Sequence, residues 1–203
     1  MGGIIGWARI PSATGDNAKV FKDCANYHNI EFSGVAGTFH AGGIAGYINN
    51  EDAEMLWGEI NGLKNVANLT FNSTATTKNF GGIFGHVATK TNPSPGALAN
   101  ITDCVVYGDI KALGMTSDQM GVILGGVART ADKFVVKNSQ IGGNFIFSVA
   151  NDTDAGGEEI TVDVLTPFDL TMIYKTAITE AQALEDGCSL ITTKPTVPTK
   201  PTK

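Results

Sequence analysis

The sequence predicts an all-β protein, a right-handed parallel β-helix (solenoid) of about four ~40-residue repeats with a C-terminal cap. Three observations predict this fold: a glycine-rich segment recurs at nearly constant spacing, a second segment recurs in step with it, and each position keeps its residue type. Glycine accounts for 25 of the 203 residues, while the 7 prolines lie mostly toward the C-terminal end. This composition fits neither collagen nor a generic linker, so the glycines have positional roles.

The glycine-rich segment starts at residues 2, 42, 81 and 121, and its copies read GGIIGW, GGIAGY, GGIFGH and GVILGG. Glycines repeated in this way suit tight corners and close backbone approach between neighbouring strands. Alternation along a strand predicts an inward face and an outward face. The inward face holds Ile4, Ile44, Ile83 and Ile123, then Gly6, Gly46, Gly85 and Gly125. The outward face holds Ile5, Ala45, Phe84 and Leu124, then Trp7, Tyr47, His86 and Gly126, and we expect loops to cover part of it.

The second segment starts at Phe21, Ile60, Ile101 and Val136, and its copies read FKDCANYHNIEF, INGLKNVANLTF, ITDCVVYGDIKA and VKNSQIGGNFIF. Its inward pairs are Ile30/Phe32, Leu69/Phe71, Ile110/Ala112 and Phe145/Phe147, and its outward residues are Glu31, Thr70, Lys111 and Ile146. Since a flat coil of 40 residues at ~3.3 Å per residue is very wide, we expect each repeat to form two coils of about 20 residues.

The repeat pattern ends near residue 150 and divides the chain into three parts. Residues 1–150 form the predicted repeat domain, and residues 151–191 form a capping segment with a strand at ITVDV and a short helix around Thr179 to Glu185. Such a cap covers the apolar core and the open strand edge of a last repeat. Residues 192–203, rich in Thr, Pro and Lys, are predicted to be a disordered tail.

The charge and hydropathy of the chain exclude two classes of partner. A net charge of −6 without a basic cluster argues against nucleic-acid binding. No apolar run is long enough to span a membrane, and the N-terminus has no signal-peptide pattern. Since Met1 runs directly into a repeat, we expect the sequence to start inside a longer protein, with membrane attachment only through an anchor missing from it.

The sequence shows no catalytic constellation, metal site or cofactor motif. Cys24 and Cys104 share one repeat position, but they lie two repeats apart, so they are predicted to be buried free thiols, with the role of Cys188 open. Three histidines in no metal motif and three unclustered cysteines predict no metal ion. Asp23, Asp103 and Asp109 have neutral equivalents in other repeats, so a polysaccharide lyase or hydrolase is kept only as the alternative function.

Two repeated sets of polar or aromatic residues are candidate sites. Asn29, Asn68, Asp109 and Asn144 predict a structural ladder of side chains at a corner, with a row of sugar hydrogen-bond donors as the alternative. Trp7, Tyr47 and His86 form an aromatic ladder, which is either a sugar-stacking platform or a stack covered by a loop.

The alternation of GGIxGx with segments such as DCANYHNIEF and DCVVYGDI resembles the GLUG-type repeats of bacterial surface proteins. The resemblance covers residues 1 to about 150 and departs in the fourth copy, where GVILGG replaces GGIxG and Ser139 replaces Cys. It implies a noncatalytic extracellular or outer-membrane-surface module, an adhesin-like or spacer scaffold whose partners are glycans or host surface proteins. The family supplies no catalytic residues.

Overall fold

The structure, a computed structural model, describes residues 1–9, 21–34, 37–50, 60–73, 77–89, 99–113, 120–128, 134–153, 159–173 and 178–196. The described residues form an all-β fold of short strands with little helix. In chain order the strands are β1 (Ile5–Arg9), β2 (Phe21–Lys22), β3 (Ala25–Asn26), β4 (Ile30–Gly34), β5 (Thr38–Gly42), β6 (Ala45–Asn50), β7 (Ile60–Asn61), β8 (Lys64–Asn65), β9 (Leu69–Ser73), β10 (Thr77–Gly81), β11 (Phe84–Thr89), β12 (Ala99–Thr102), β13 (Val105–Tyr107), β14 (Ile110–Leu113), β15 (Met120–Gly121), β16 (Val127–Ala128), β17 (Phe134–Lys137), β18 (Gln140–Gly142), β19 (Asn144–Thr153), β20 (Glu159–Pro167) and β21 (Ser189–Leu190).

These strands form five sheets, each built from equivalent strands of successive repeats. The strand orders are β1-β6-β11-β16 in sheet A, β5-β10-β15 in sheet B, β2-β7-β12-β17 in sheet C, β3-β8-β13-β18-β21 in sheet D and β4-β9-β14-β19-β20 in sheet E. Every pairing is parallel except that of β19 with β20. Each of the first three repeats therefore contributes one strand to each sheet, and within the described residues the fourth contributes a strand to every sheet except sheet B. We call the set of strands from one repeat a rung.

The register pairs the residues that the repeat alignment placed at the same position. Ile30 lies opposite Leu69, and Leu69 lies opposite Ile110, so the hydrogen-bonded partner is one whole repeat away. The prediction of two coils of about 20 residues per repeat is therefore wrong. It assumed a flat coil, whereas corners divide each of the first three repeats into five short strands, and each strand pairs with its equivalent one repeat away.

The second segment supplies much of the core, as its alternation predicted. Leu69, Phe71, Ile110 and Phe145 are buried, whereas Glu31 is exposed. The Phe32 and Phe71 rings stack at 5.2 Å, and Phe71 stacks on Phe80 from sheet B at 4.4 Å. Apolar burial and ring stacking thus join sheets E and B in one core.

The faces of the glycine-rich segment differ from the predicted alternation. Ala45, Phe84 and Leu124 were predicted to point outward, yet all three are buried. The Phe84 ring meets Phe21 of sheet C edge-on at 6.1 Å. The chain bends at residues 82–83 before β11 begins, so a period of two cannot be carried across the corner.

The C-terminal segment extends two of the sheets. Strand β20 contains ITVDV and pairs antiparallel with β19, and β21 pairs with β18. Helix α1 (Glu180–Glu185) begins after Thr179, whose hydroxyl accepts a hydrogen bond from the Gln182 N–H in a capping box. The short helix and the ITVDV strand are therefore confirmed. Residues 197–203 of the predicted tail, and most of the predicted covering loops, lie outside the described residues.

The cap also reaches the glycine-rich corners. A short 3-10 turn (Leu170–Met172) follows β20, and the Val122 N–H donates to the Met172 carbonyl at 2.7 Å. Phe168, Leu170 and Ile173 are buried in the same core as the repeats. The segment after β19 thus covers the last rung with both backbone hydrogen bonds and apolar side chains.

Candidate functional site

The glycine-rich corners place the aromatic ladder. At Gly42 an added Cβ would lie 2.3 Å from the Ala45 carbonyl oxygen, and at Gly81 it would lie 2.0 Å from that of Phe84. Only glycine fits such a corner without moving the backbone. Because the corner recurs in each rung, the strand that follows it always starts in the same register, and Trp7, Tyr47 and His86 come to lie opposite one another.

A cluster of stacked rings forms on this ladder, and one member of it was not predicted. Tyr47 and His86 stack at 5.4 Å between ring centroids. His40, from β5, stacks on Tyr47 at 5.2 Å and on His86 at 4.4 Å, and its Nδ1 lies 3.0 Å from Nδ2 of Asn79. The sequence offered no signal for His40, because the contact joins sheets A and B across a corner.

Exposure along the aromatic ladder is highest in the first rung. The Trp7 side chain is 58% exposed, whereas Tyr47 and His86 are half-buried. Stacked rings cover one another's faces, so the half-buried members present mainly their edges. Trp7, on the first strand of sheet A, is therefore the ring whose surface is most open to a ligand.

The second candidate set forms hydrogen bonds from one rung to the next. The Asn68 N–H donates to Oδ1 of Asn29 at 2.9 Å, and the Asp109 N–H donates to Oδ1 of Asn68 at 3.0 Å. Asn144 Nδ2 donates to Oδ1 of Asp109 at 2.8 Å. These side chains act as acceptors for the neighbouring rung at a corner, which is the geometry of a structural ladder.

A column of left-handed residues at a further corner was missed by the sequence analysis. Its members have positive φ angles and occupy equivalent places in successive rungs and the cap: Asp23 (54°), Gly62 (68°), Asp103 (54°), Asn138 (50°) and Gly187 (78°). Glycine, Asn and Asp are the residues that adopt this conformation most readily. The exchange of Asp, Gly and Asn at one position is the signal that was available.

A second missed feature is a pair of buried amides beside this corner. Asn26 Nδ2 donates to Oδ1 of Asn65 at 2.7 Å and to the His28 carbonyl at 3.0 Å. Asn65 Nδ2 donates to the Ala67 carbonyl at 3.1 Å. In the third and fourth rungs the equivalent residues are the apolar Val106 and Ile141, so the amides join only the first two rungs.

The cysteines lie in a column that faces the core. All three are free thiols, and Cys104 and Cys188 are buried, whereas Cys24, which was predicted to be buried, is only half-buried. Burial raises the pKa of the Cys104 thiol to about 12, and burial also raises the pKa of Cys188. Since the thiolate is the reactive form, Cys104 is a packing residue and a poor nucleophile at neutral pH.

A cleft of about 370 Å³ lies between the cap and the last two rungs. Its lining includes Ile141, Phe168 and Leu190, and the Tyr107 hydroxyl donates to the Thr192 carbonyl at 3.3 Å across one side. Among the described residues that line it there is no Asp, Glu, His or Cys. Of the predicted site residues, only Asn144 lines this cleft.

No family model, curated protein or solved structure matches this chain. Within the described ranges, no group of three or more His, Cys, Asp or Glu side chains is arranged to hold a metal ion. In the same part of the chain, no helix has the length and apolar character that crossing a membrane requires. The exposed first ring of the aromatic ladder remains the best candidate site.

Proposed function

We propose that this chain is a noncatalytic extracellular or cell-surface repeat module, an adhesin-like or spacer scaffold that binds glycans at the first rung. The observation that carries the proposal is Trp7, a large ring that is 58% exposed although its ladder partner Tyr47 is half-buried. An exposed indole presents a flat apolar face, which suits the C–H face of a pyranose ring.

The proposed architecture is a right-handed parallel β-helix of GLUG-type repeats. Its support is the pairing of each strand with the equivalent strand of the next repeat in five sheets. The right hand follows from the general preference of parallel crossover connections. A stack of this kind holds its surface residues at a fixed spacing, which is the physical basis of a spacer or adhesin scaffold.

The charge of the chain favours a neutral glycan over an acidic one. With a net charge of −6, the protein repels sialylated or sulfated chains at low ionic strength. Tyr47 places a phenol beside Trp7 on the same ladder, and a phenol is both a hydrogen-bond donor and an acceptor for sugar hydroxyls. We therefore assign face stacking to Trp7 and hydrogen bonding to Tyr47.

No observation favours the alternative of a polysaccharide lyase or hydrolase. Asp23 and Asp103 occupy the left-handed corner column. Asp109 accepts a hydrogen bond from Asn144 in the structural ladder. The acids that the sequence offered for catalysis are thus placed at corners, where their residue type follows from backbone geometry.

The test is a binding screen against an array of neutral and acidic glycans. We expect the chain to bind neutral glycans, Trp7→Ala to abolish this binding, and Tyr47→Phe to weaken it about tenfold through one lost hydrogen bond. Leu165→Ala is the matched control, because Leu165 is also an exposed apolar residue, at 61%, but lies in the cap. Binding that survives in Trp7→Ala would move the site elsewhere, and no binding to any glycan would leave a spacer without this site.

A further inference from the structure

The first rung is the end of the molecule at which all five sheets begin. Strands β1, β2, β3, β4 and β5 are each the terminal member of a sheet. Ile4 is 50% exposed, whereas its equivalents Ile44, Ile83 and Ile123 are fully buried. The surface that each repeat buries against its neighbour is thus partly open on this rung.

The carbonyl at each corner shows which backbone groups the open surface of the first rung can bind. Each of four equivalent carbonyls accepts two successive N–H groups from the preceding rung, and the last of the four belongs to the cap: Ile44, Ile83, Ile123 and Ile173. Ile4 occupies the same position in the first rung. Among the described residues no N–H donates to its carbonyl.

The glycine that follows each corner shows how closely the backbone of the preceding rung packs against it. An added Cβ would lie 2.0 Å from the Met1 carbonyl oxygen at Gly46, 2.5 Å from that of Ala41 at Gly85, and 2.0 Å from that of Phe80 at Gly125. Each of these glycines packs against the backbone of the preceding rung. Gly6 is the fourth member of the column, and no atom of the described residues lies within 4 Å of its Cβ position.

We propose that the first rung is a socket for one further glycine-corner segment of the GGIxG type, carried by a polypeptide segment outside this chain. The occupant donates two successive N–H groups to the Ile4 carbonyl, lays its backbone against Gly6 and pairs with the open edge of β1. This is strand addition to an existing sheet, continued from the interface that the chain forms between its own rungs.

A second copy of this chain does not fit the socket. Its corners at residues 42–46 and 81–85 are already paired on both sides. If the first rungs of two copies met end to end, the Ile4 carbonyl of one copy would face the side of the other copy that also presents its Ile4 carbonyl. Neither carbonyl would then gain a donor.

The test uses a fluorescent peptide with the sequence of residues 38–50, TFHAGGIAGYINN, and the full chain. Fluorescence anisotropy is expected to show saturable binding, which Gly6→Val weakens about tenfold or more because its side chain fills the space. A peptide with Val at the first corner glycine is expected not to bind. Leu184→Ala, in helix α1 at the capped end, is the control that leaves binding unchanged.

The thermal midpoint of Gly6→Val shows whether this variant folds normally. Gly6→Val is expected to leave the thermal midpoint unchanged, since its side chain meets open space, whereas Gly85→Val is expected to lower it. Absence of peptide binding, or binding that Gly6→Val does not weaken, overturns the proposal. Light scattering that shows dimers lost in Gly6→Val would assign the socket to a second copy and overturn it as well.

A variant chain that carries the extra glycine corner covalently removes any dependence on peptide solubility. Residues 42–80 are repeated directly before Gly2, so that a glycine corner precedes the first rung at the natural spacing. The thermal midpoint is expected to rise, because one more rung interface forms. An unchanged or lower midpoint contradicts the socket. Trp7 lies on β1, so an occupant of the socket would compete with a glycan for this strand. Because these measurements involve no sugar, failure of the socket and failure of the glycan site are distinguishable.

Discussion

At the scale of single residues, the cysteine column accepts two kinds of side chain, because the second repeat has the buried apolar Leu63 and the others have small hydrogen-bond donors. Cys24 Sγ donates to the Lys22 carbonyl and Cys104 Sγ to that of Thr102, both at 3.5 Å. In the fourth repeat Ser139 Oγ donates to the Lys137 carbonyl at 2.9 Å, two residues before it as in the other copies. Cys and Ser exchange here because both are small and both donate.

The stability of the chain is predicted to depend on the Cys104 thiol at alkaline pH. Its folded pKa of about 12 lies above the unfolded value, so the folded state holds the proton more tightly. The contribution is complete below the unfolded pKa of 9.0 and is lost as pH rises toward 12, with a slope of up to about 1.4 kcal/mol per pH unit. Urea unfolding of the wild type and Cys104→Ser between pH 8 and pH 11 measures the difference in slope. Equal slopes would contradict the prediction.

At the scale of elements, the short strands are separated by corners with specific backbone requirements. The left-handed column places Asp23 and Asp103 where an L-residue pays a steric cost. Asp103 also accepts a hydrogen bond from Asn61 Nδ2 at 3.0 Å, so its carboxylate links two rungs. Two acids that stood out in the sequence are thus explained by the corner that joins sheets C and D.

Replacement of Asp103 by Ala is predicted to destabilise the fold by about 1–2 kcal/mol, the cost of a left-handed residue with a Cβ and no polar side chain. Asp103→Asn and Asp103→Gly are expected to cost less, because Asn138 and Gly62 occupy the same column in other repeats. Urea unfolding of the three variants gives the order. Equal losses for Ala and Asn would show that backbone geometry does not determine this position.

At the scale of the whole molecule, the two ends of the sheets differ in the elements that cover them. The last rung is covered by β20, the 3-10 turn, α1 and β21, whereas the strands of the first rung form the sheet ends opposite this cap. Phe168 packs edge-on against Phe145 at 5.1 Å and is buried. The cap is therefore joined to the same core as the repeats.

Phe168→Ala is predicted to destabilise the cap end by about 3 kcal/mol, through lost burial and the cavity it leaves. Because each rung contacts mainly its neighbours, hydrogen exchange should accelerate in β18 and β19 and change little in β6 and β9. Leu165→Ala, an exposed position on β20, serves as the control. Uniform acceleration through all rungs would instead indicate a single cooperative unit.

The sequence by itself determined the repeat, its register and most of the core. Positions that recur at constant spacing must lie opposite one another in a ladder, so the pairing of Ile30 with Leu69 and of Trp7 with Tyr47 followed from alignment alone. Alternation also identified the buried side of the second segment, because those strands are not interrupted by a corner. The helix at α1 followed from its local capping residues.

The tertiary structure alone decided how each repeat bends and what meets at the bends. Phe84 turns inward after the corner at 82–83, and His40 reaches Tyr47 and His86 from another sheet. Such contacts depend on backbone angles at two or three corner residues, which no periodic pattern encodes. The close contact at the glycine after each corner is likewise a product of tertiary structure: an added Cβ at Gly85 would lie 2.5 Å from the Ala41 carbonyl oxygen, a distance that the residue type does not encode.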